Sequence, residues 1–340
     1  MKKHLIFGAV LLAVLAVSCN KADIPASEPE AKGVPMTLTV TIVSADTKVD
    51  VVDDETNKVL KCNWKIGDQV SVISLGSVNG VWTNDIFEAT ATGKTASFSG
   101  TFTGGTPDKV VVLYPALTKG AGTASDMWYS PTYNGDYNPK GLLRGMYSGD
   151  DYVEFFTNYY LQQSLNSAAD LEKYLLMAGE ADLSDLSTDK LTVSLVHKMS
   201  VLKANLTFKT PDKVLRYVNV TAVKSDDSTF PFVQNGFCLV KDITSSFDTN
   251  TKINNIKMCT GTTIDGGNGS GLTVSGSSAT VYIPFAPASD TPGQVTFASG
   301  DKMVVQAHYN GYPSSSKEFT FTSDKTLREG RLYTIDVVFE

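Results

Sequence analysis

The chain has 340 residues, of which 42% are hydrophobic, 19% are charged and 10% are aromatic, and its formal net charge is −7. That hydrophobic fraction is sufficient for packed cores and excludes a wholly disordered chain, and the length suits two domains of ordinary size. The sequence has no basic stripe, and its three His residues leave little for His-based catalysis or a His-rich metal site. We therefore expect no nucleic-acid partner, no metal, no cofactor and no enzymatic activity.

The first residues have the features of an export signal. Residues 1–4 are basic and residues 5–17 form an almost unbroken apolar run, which is shorter than the about 20 residues of a membrane-spanning helix and is typical of a secretory signal peptide. A small residue, Ser18, stands directly before Cys19. This arrangement resembles a bacterial lipobox, which implies cleavage before Cys19 and attachment of lipid to its thiol. Ordinary signal cleavage nearby, with Cys19 incidental, is the alternative.

The remainder of the chain divides into a tether and two strand-rich regions. Residues 19–35 contain three Pro and few large apolar side chains, which is the composition of a flexible tether. Residues 36–187 and 188–340 are predicted to form an N-terminal and a C-terminal antiparallel β-sandwich domain, because apolar and polar residues alternate in short segments separated by Gly, Asn, Asp and Ser turns. The clearest of these segments are 36–43, 69–73, 96–102, 109–114, 190–196, 201–208, 217–223, 279–284, 303–309, 317–321 and 332–339. One stretch, residues 159–173, has a pattern that favours a helix.

An aromatic-rich segment interrupts the first region. Residues 128–160 contain 10 aromatic residues with interleaved Gly, Pro, Asp and Asn, which predicts a long loop inserted in the N-terminal domain. Such a loop either contacts a glycan or protein ligand or folds down as an apolar lid over a sheet. The candidate contact residues are Trp128, Tyr129, Tyr133 and Tyr137.

The remaining Cys and His residues do not form a recognisable catalytic motif. After Cys19, the odd number of cysteines allows either one disulfide, with Cys238–Cys259 favoured by proximity, together with a free thiol at Cys62, or three buried thiols. His197 and His308 both lie in strand patterns and are expected to be satisfied residues of a sheet.

Two acidic clusters are also present. Residues 53–55 and 150–151 lack the spacing of a calcium loop and are expected to be solvated turns.

Two short motifs have a direct structural meaning. Gly67 and Asp68 can form a tight turn before a strand, and Trp64 is large enough to cap the open end of that sheet. Gly330 permits a bend before the last strand. Because no element follows that strand, its edge can pair with another subunit.

These motifs fall in the order of a known family. The Trp-x-x-Gly-Asp element at residues 62–72, the Phe-x-Gly strand and Tyr-Pro strand end at 96–115, the His-containing strand at 194–201 and the Gly-x-x-Tyr closing strand at 330–337 resemble elements of fimbrillin-like proteins, the type V pilins of Bacteroidales. The resemblance covers nearly the whole chain apart from the aromatic segment.

The resemblance implies tandem transthyretin-like domains and export as a lipoprotein to the outer membrane and cell surface. It also implies a fimbrial subunit that assembles with other pilin subunits by strand exchange. In that process a protease, for which a candidate site follows Lys48, removes the first strand, and the strand of a neighbour fills the groove. The residues that exchange would involve are Thr37, Leu38, Val40, Ile42, Tyr333, Ile335, Val337 and Phe339.

Two points stay open at this stage. The major stalk pilins usually have Arg where this chain has Lys48, and a retained first strand would suit an anchor subunit. The alternative function is that of a surface lipoprotein that does not polymerise and binds glycan through the aromatic loop; a host protein is a further candidate ligand.

Overall fold

Strands account for most of the computed structural model, which describes residues 33–42, 52–54, 59–74, 83–105, 109–116, 144–148, 152–156, 160–162, 164–183, 190–234, 236–240, 252–261, 263–264, 268–288 and 293–340. The strands up to residue 197 are β1 (Val34–Ile42), β2 (Val52–Asp54), β3 (Val59–Lys61), β4 (Gln69–Ser74), β5 (Thr83–Ala89), β6 (Thr95–Phe102), β7 (Lys109–Tyr114), β8 (Arg144–Ser148), β9 (Tyr152–Phe156), β10 (Tyr160–Gln162), β11 (Met177–Asp182) and β12 (Lys190–His197). A 3-10 helix, Ala169–Lys173, lies between β10 and β11.

The strands after residue 199 form the second half of the fold. They are β13 (Ser200–Thr207), β14 (Val214–Val223), β15 (Val233–Gln234), β16 (Gly236–Val240), β17 (Lys252–Ile253), β18 (Asn255–Thr260), β19 (Thr263–Ile264), β20 (Asn268–Gly269), β21 (Leu272–Thr273), β22 (Ser278–Phe285), β23 (Gln294–Phe297), β24 (Lys302–Tyr309), β25 (Ser315–Thr320), β26 (Lys325–Arg328) and β27 (Leu332–Val338).

Seven strands of the first half close into a barrel. Their order is β1-β12-β11-β7-β4-β5-β6, and β6 pairs with β1 to complete the ring. Alternate residues of each strand point inward, so that the apolar side of patterns such as that of residues 36–42 fills the interior. Closure leaves these strands without an exposed edge.

A tryptophan occupies the interior of this barrel. Trp64 is fully buried and packs edge-on against Phe98 and Tyr114, with ring centroids 5.0 and 5.1 Å away. The turn that follows it contains Gly67 at φ 90° and is closed by the Lys65 amide, which donates to a carboxylate oxygen of Asp68 at 2.8 Å. The predicted turn is therefore confirmed.

The second half contains two main sheets. One has the order β10-β18-β14-β24-β25, with β21 also paired to β14, and the other has the order β22-β13-β27. The final strand β27 runs parallel to β13 and lies at the edge of its sheet. Gly330, at φ 72°, forms the bend directly before β27, and its amide donates to the Met199 carbonyl at 3.0 Å.

The all-β prediction is confirmed, and each of the strand segments predicted from alternation corresponds to a strand of the structure. The tandem transthyretin-like arrangement stays a prediction. So does the domain boundary at 187/188; β12, which follows that boundary, pairs with β1 and β11 of the barrel. Buried residues from both halves belong to one continuous hydrophobic core.

Three local expectations were wrong. Residues 159–173 contain β10 and a 3-10 helix of 5 residues instead of an α-helix. Within the expected aromatic loop, β8 and β9 form a hairpin, and β9 pairs with β16 from the second half. Asp53 and Asp54 lie in the strand β2, which pairs with β3, and not in a turn. For β10, which pairs with β18, and for β9, which pairs with β16, a strand partner distant in sequence overrides the local pattern, whereas β2 pairs with its near neighbour β3.

Within the described residues, no helix has the length and apolar character that would carry it across a membrane.

Candidate functional site

The first strand, β1, is enclosed by the barrel. The side chains of Leu38, Val40 and Ile42 are fully buried, and Met36 is almost so. These four alternate with threonines that face outward and are half-buried. The strand therefore contributes a continuous row of apolar side chains to the interior.

Both edges of β1 are hydrogen-bonded within the barrel. It runs antiparallel to β6, where Leu38 lies opposite Phe98, and parallel to β12, where Leu38 lies opposite Leu191. Across the outer face, the Thr41 and Thr95 hydroxyls are 3.0 Å apart. Loss of β1 would leave β6 and β12 with unpaired edges on the two sides of an apolar groove.

The free energy contributed by burial of β1 can be compared with the stability of a whole protein. Burial of an aliphatic or methionine side chain stabilises a fold by about 1.5–3 kcal/mol. The four inward residues of β1 thus contribute roughly 6–12 kcal/mol before the ladder hydrogen bonds are considered. Because whole proteins are stable by about 5–15 kcal/mol, the burial of these four side chains is comparable to the stability of a typical fold.

The last strand, β27, has the same inward pattern. Tyr333, Ile335, Val337 and Phe339 point to one side, where Val337 and Phe339 are buried and Tyr333 and Ile335 are half-buried against the core. The ring of Phe339 stacks on Phe208 at a centroid distance of 5.6 Å. The spacing of this row equals that of Met36, Leu38, Val40 and Ile42.

Unlike β1, β27 has a strand partner on one side only among the described strands. Its neighbour β13 pairs with it along Val201–Thr207, and on the outer face Asn205 donates to Asp336 at 2.9 Å. The closing strand thus lies at a sheet edge among the described strands, and its pairing with another subunit stays a prediction.

Several predicted site residues lie outside the described residues. They are Cys19, Lys48, Trp128, Tyr129, Tyr133 and Tyr137. Thr37 is described; it lies on the outer face of β1, opposite Ser99 and Lys190.

The two strand histidines differ from each other. His197 is buried at the end of β12, where desolvation lowers its pKa to about 4 and neither ring nitrogen has a hydrogen-bond partner among the described residues. The expectation of a satisfied residue was wrong in that respect, although its place in a sheet is confirmed. His308 stacks on Tyr217 with the ring centroids 4.1 Å apart, and burial together with the nearby Lys257 lowers its pKa.

Cys62 and Cys259 are both buried thiols in the structure. Burial raises the pKa of the Cys259 thiol. This agrees with the buried-thiol alternative for these two residues.

Two glycines bring neighbouring strands and side chains close to each other: Gly100 belongs to the Phe-x-Gly motif of the sequence, whereas Gly179 was missed. A Cβ at Gly100 would lie 2.7 Å from the Phe87 ring, and one at Gly179 would lie 2.2 Å from the Ser194 carbonyl oxygen. An isolated glycine inside a strand pattern is the signal that could have identified Gly179.

Comparison with solved structures gives distant likenesses. A fimbrial protein of Bacteroides ovatus is 12% identical, with a TM-score of 0.32, and the match covers 90% of this chain and 49% of that one. The tip fimbrial protein Mfa3 of Porphyromonas gingivalis is 8% identical, with a TM-score of 0.27, and the match covers 84% of this chain and 82% of that one. A candidate adhesin of Bacteroides ovatus is 11% identical, with a TM-score of 0.37, over 95% of this chain and 96% of that one.

These neighbours are adhesins and fimbrial proteins of Bacteroidales, the kind of protein that the sequence motifs resemble. No protein-family model matches the chain, and no curated protein matches it.

Proposed function

We propose that this chain is a structural or adhesive subunit of a cell-surface fimbria, exported as a lipoprotein through Cys19 and assembled by strand exchange after removal of β1. The observation that carries the proposal is the position of β1, a nine-residue strand whose inward side chains are buried between β6 and β12. A cut in the segment after Ile42 would separate this strand from the rest of the chain.

The closing strand β27 supports the strand-exchange part of the proposal. A donor must present four apolar side chains at alternate positions, because the groove left by Met36, Leu38, Val40 and Ile42 has that spacing. The strand β27 presents such a row from Tyr333 to Phe339. Main-chain hydrogen bonds to β6 and β12 would supply affinity, and the alternate side chains would set the register.

The experiment replaces residues 44–50 with the recognition sequence of a site-specific protease in the chain that begins at Cys19. Cleavage is expected to release a fragment that ends shortly after Ile42 and to convert monomers into fibres visible by electron microscopy. The same chain with an uncleavable scrambled site is the control. Cleaved protein that stays monomeric, with the β1 fragment either lost or retained, would contradict strand exchange.

Natural maturation has its own test. Mass spectrometry of subunits taken from assembled fibres should find an N-terminus just after Lys48, and Lys48→Gln should block it. Intact subunits beginning at Cys19 inside fibres would exclude the cut. For the lipid, Cys19→Ser should abolish incorporation of labelled palmitate.

A further inference from the structure

An apolar groove lies on the surface of the strands that follow residue 199. It has a volume of about 610 Å³ and is bounded by β25, β26 and β27. Leu202, Met303 and Leu327 are buried residues beneath it, whereas Phe319 and Ile335 on its walls are half-buried. Half-exposed apolar side chains concentrated in one concave place are typical of a docking site.

A strand edge runs along this groove. The Val201 amide donates to the Arg331 carbonyl and the Phe339 amide donates to the Thr207 carbonyl, so the odd-numbered residues of β27 direct their backbone groups toward β13. Because backbone groups alternate along a strand, Leu332, Thr334 and Asp336 direct theirs to the other side. No described strand pairs with β27 there.

The charge of the groove is opposite to that of the chain. Lys325, Arg328 and Arg331 line it and are exposed, and none of its lining residues is acidic, although the whole chain has a formal charge of −7. The nearby carboxylate of Glu329 does not line the groove and lies 3.9 Å from Lys198. Arg331 directly precedes Leu332, and the Arg328 amide donates to the Tyr333 hydroxyl at 2.6 Å, so two of the three cations lie beside the start of β27.

We infer that this groove binds an extended peptide segment of another protein, which pairs with the free edge of β27, places alternate apolar side chains in the groove and carries acidic residues beside Lys325, Arg328 and Arg331. The free backbone edge favours a peptide, since an apolar anion such as a fatty acid would use the cationic rim and leave the amide of Thr334 without a partner. This site needs β27 to be seated on β13, whereas the strand exchange proposed above would place β27 in the groove of a neighbouring subunit. It is therefore separate from the strand exchange proposed above.

The test uses the uncleaved chain from Cys19 and two fluorescent peptides. One peptide begins with two glutamates followed by alternating leucine and threonine, and in the other lysines replace the glutamates. Fluorescence anisotropy should show the glutamate peptide binding at least about tenfold tighter, because opposite charges meet at the rim. Amide exchange at Thr334 and Asp336 should slow when the peptide binds.

Three variants identify the surface. Ile335→Arg should abolish binding by filling the groove, and Thr334→Pro should weaken it about tenfold by removing a free-edge donor. Val338→Arg is the matched control, because that side chain is 53% exposed on the opposite face of the same strand; binding should be unchanged.

Charge reversal separates a specific loss of binding from a variant that fails to fold, because a misfolded variant would bind neither peptide. The double variant Arg328→Glu and Arg331→Glu should bind the lysine peptide and reject the glutamate peptide. Equal binding of both peptides by the natural chain, binding that Ile335→Arg leaves intact, or binding of dodecanoate with no binding of either peptide would each overturn the inference. Failure of fibre formation in the cleavage experiment would leave these results unaffected.

Discussion

Truncation of Leu38 tests how firmly β1 is held. Its side chain is fully buried, with Phe98 and Leu191 as its register partners on either side. Leu→Ala in such a position removes buried surface and leaves a cavity, which costs about 2–5 kcal/mol. A loss of about 3 kcal/mol would lower the melting temperature by roughly 4 °C in a chain of this length, because the entropy of unfolding is about 2.1 cal/mol/K per residue.

The assay is urea unfolding of the uncleaved chain, followed by tryptophan fluorescence because Trp64 lies inside the same barrel. Thr39→Ala is the matched control, since Thr39 is the next residue of β1 and faces outward; its effect should stay within about 0.5 kcal/mol. If Leu38→Ala is as mild as Thr39→Ala, β1 does not contribute its inward row to the barrel core, and the reasoning from its burial is wrong.

Three further substitutions test other parts of the fold. Gly100→Ala should destabilise the barrel by about 1–3 kcal/mol, measured by urea unfolding, because its Cβ would lie 2.7 Å from the Phe87 ring. The pKa of His197 is about 4 in the folded protein and about 6.5 in the unfolded chain, so the free energy of unfolding should fall by about 2 kcal/mol between pH 7 and pH 5. His197→Leu should remove that pH dependence. If the variant keeps it, the dependence arises from another group. The carboxylate of Asp301 is buried and accepts a hydrogen bond from the Ser225 amide at 3.1 Å. Asp301→Asn should therefore lower the free energy of unfolding by about 1–3 kcal/mol. A thermal midpoint equal to that of the natural chain would contradict a stabilising role for this carboxylate.

The strands were the most predictable part of the fold. Segments such as 190–196 and 332–339 alternate so regularly that one face must be buried, and the structure contains β12 and β27 at these positions. The turn at Gly67 and the bend at Gly330 were also predictable, because each requires a positive φ that glycine adopts readily.

Pairing between distant strands could not be read from the sequence in the same way. Nothing local indicates that β1 lies between β6 and β12, or that β9 pairs with β16, whose paired residues are 80 to 88 positions away. For the same reason the groove beside β27 was missed. Its walls come from three separate strands, and only the fold brings Phe319 and Ile335 to one place.

The position of β27 in an assembled fibre tests strand exchange most directly. In the uncleaved chain Thr39 lies opposite Ser97 of β6. If the row from Tyr333 to Phe339 replaces the row from Met36 to Ile42, Asp336 takes the place of Thr39, and it does so whichever way the donor strand runs.

Fibres made from a mixture of two cleaved chains, one with Ser97→Cys and the other with Asp336→Cys, should therefore form a disulfide between different subunits, identified by peptide mass. Glu318→Cys, on an exposed residue of β25, is the control partner and should not cross-link. A fibre in which Ser97→Cys cross-links no better to Asp336→Cys than to Glu318→Cys would contradict the exchange of β1 for β27.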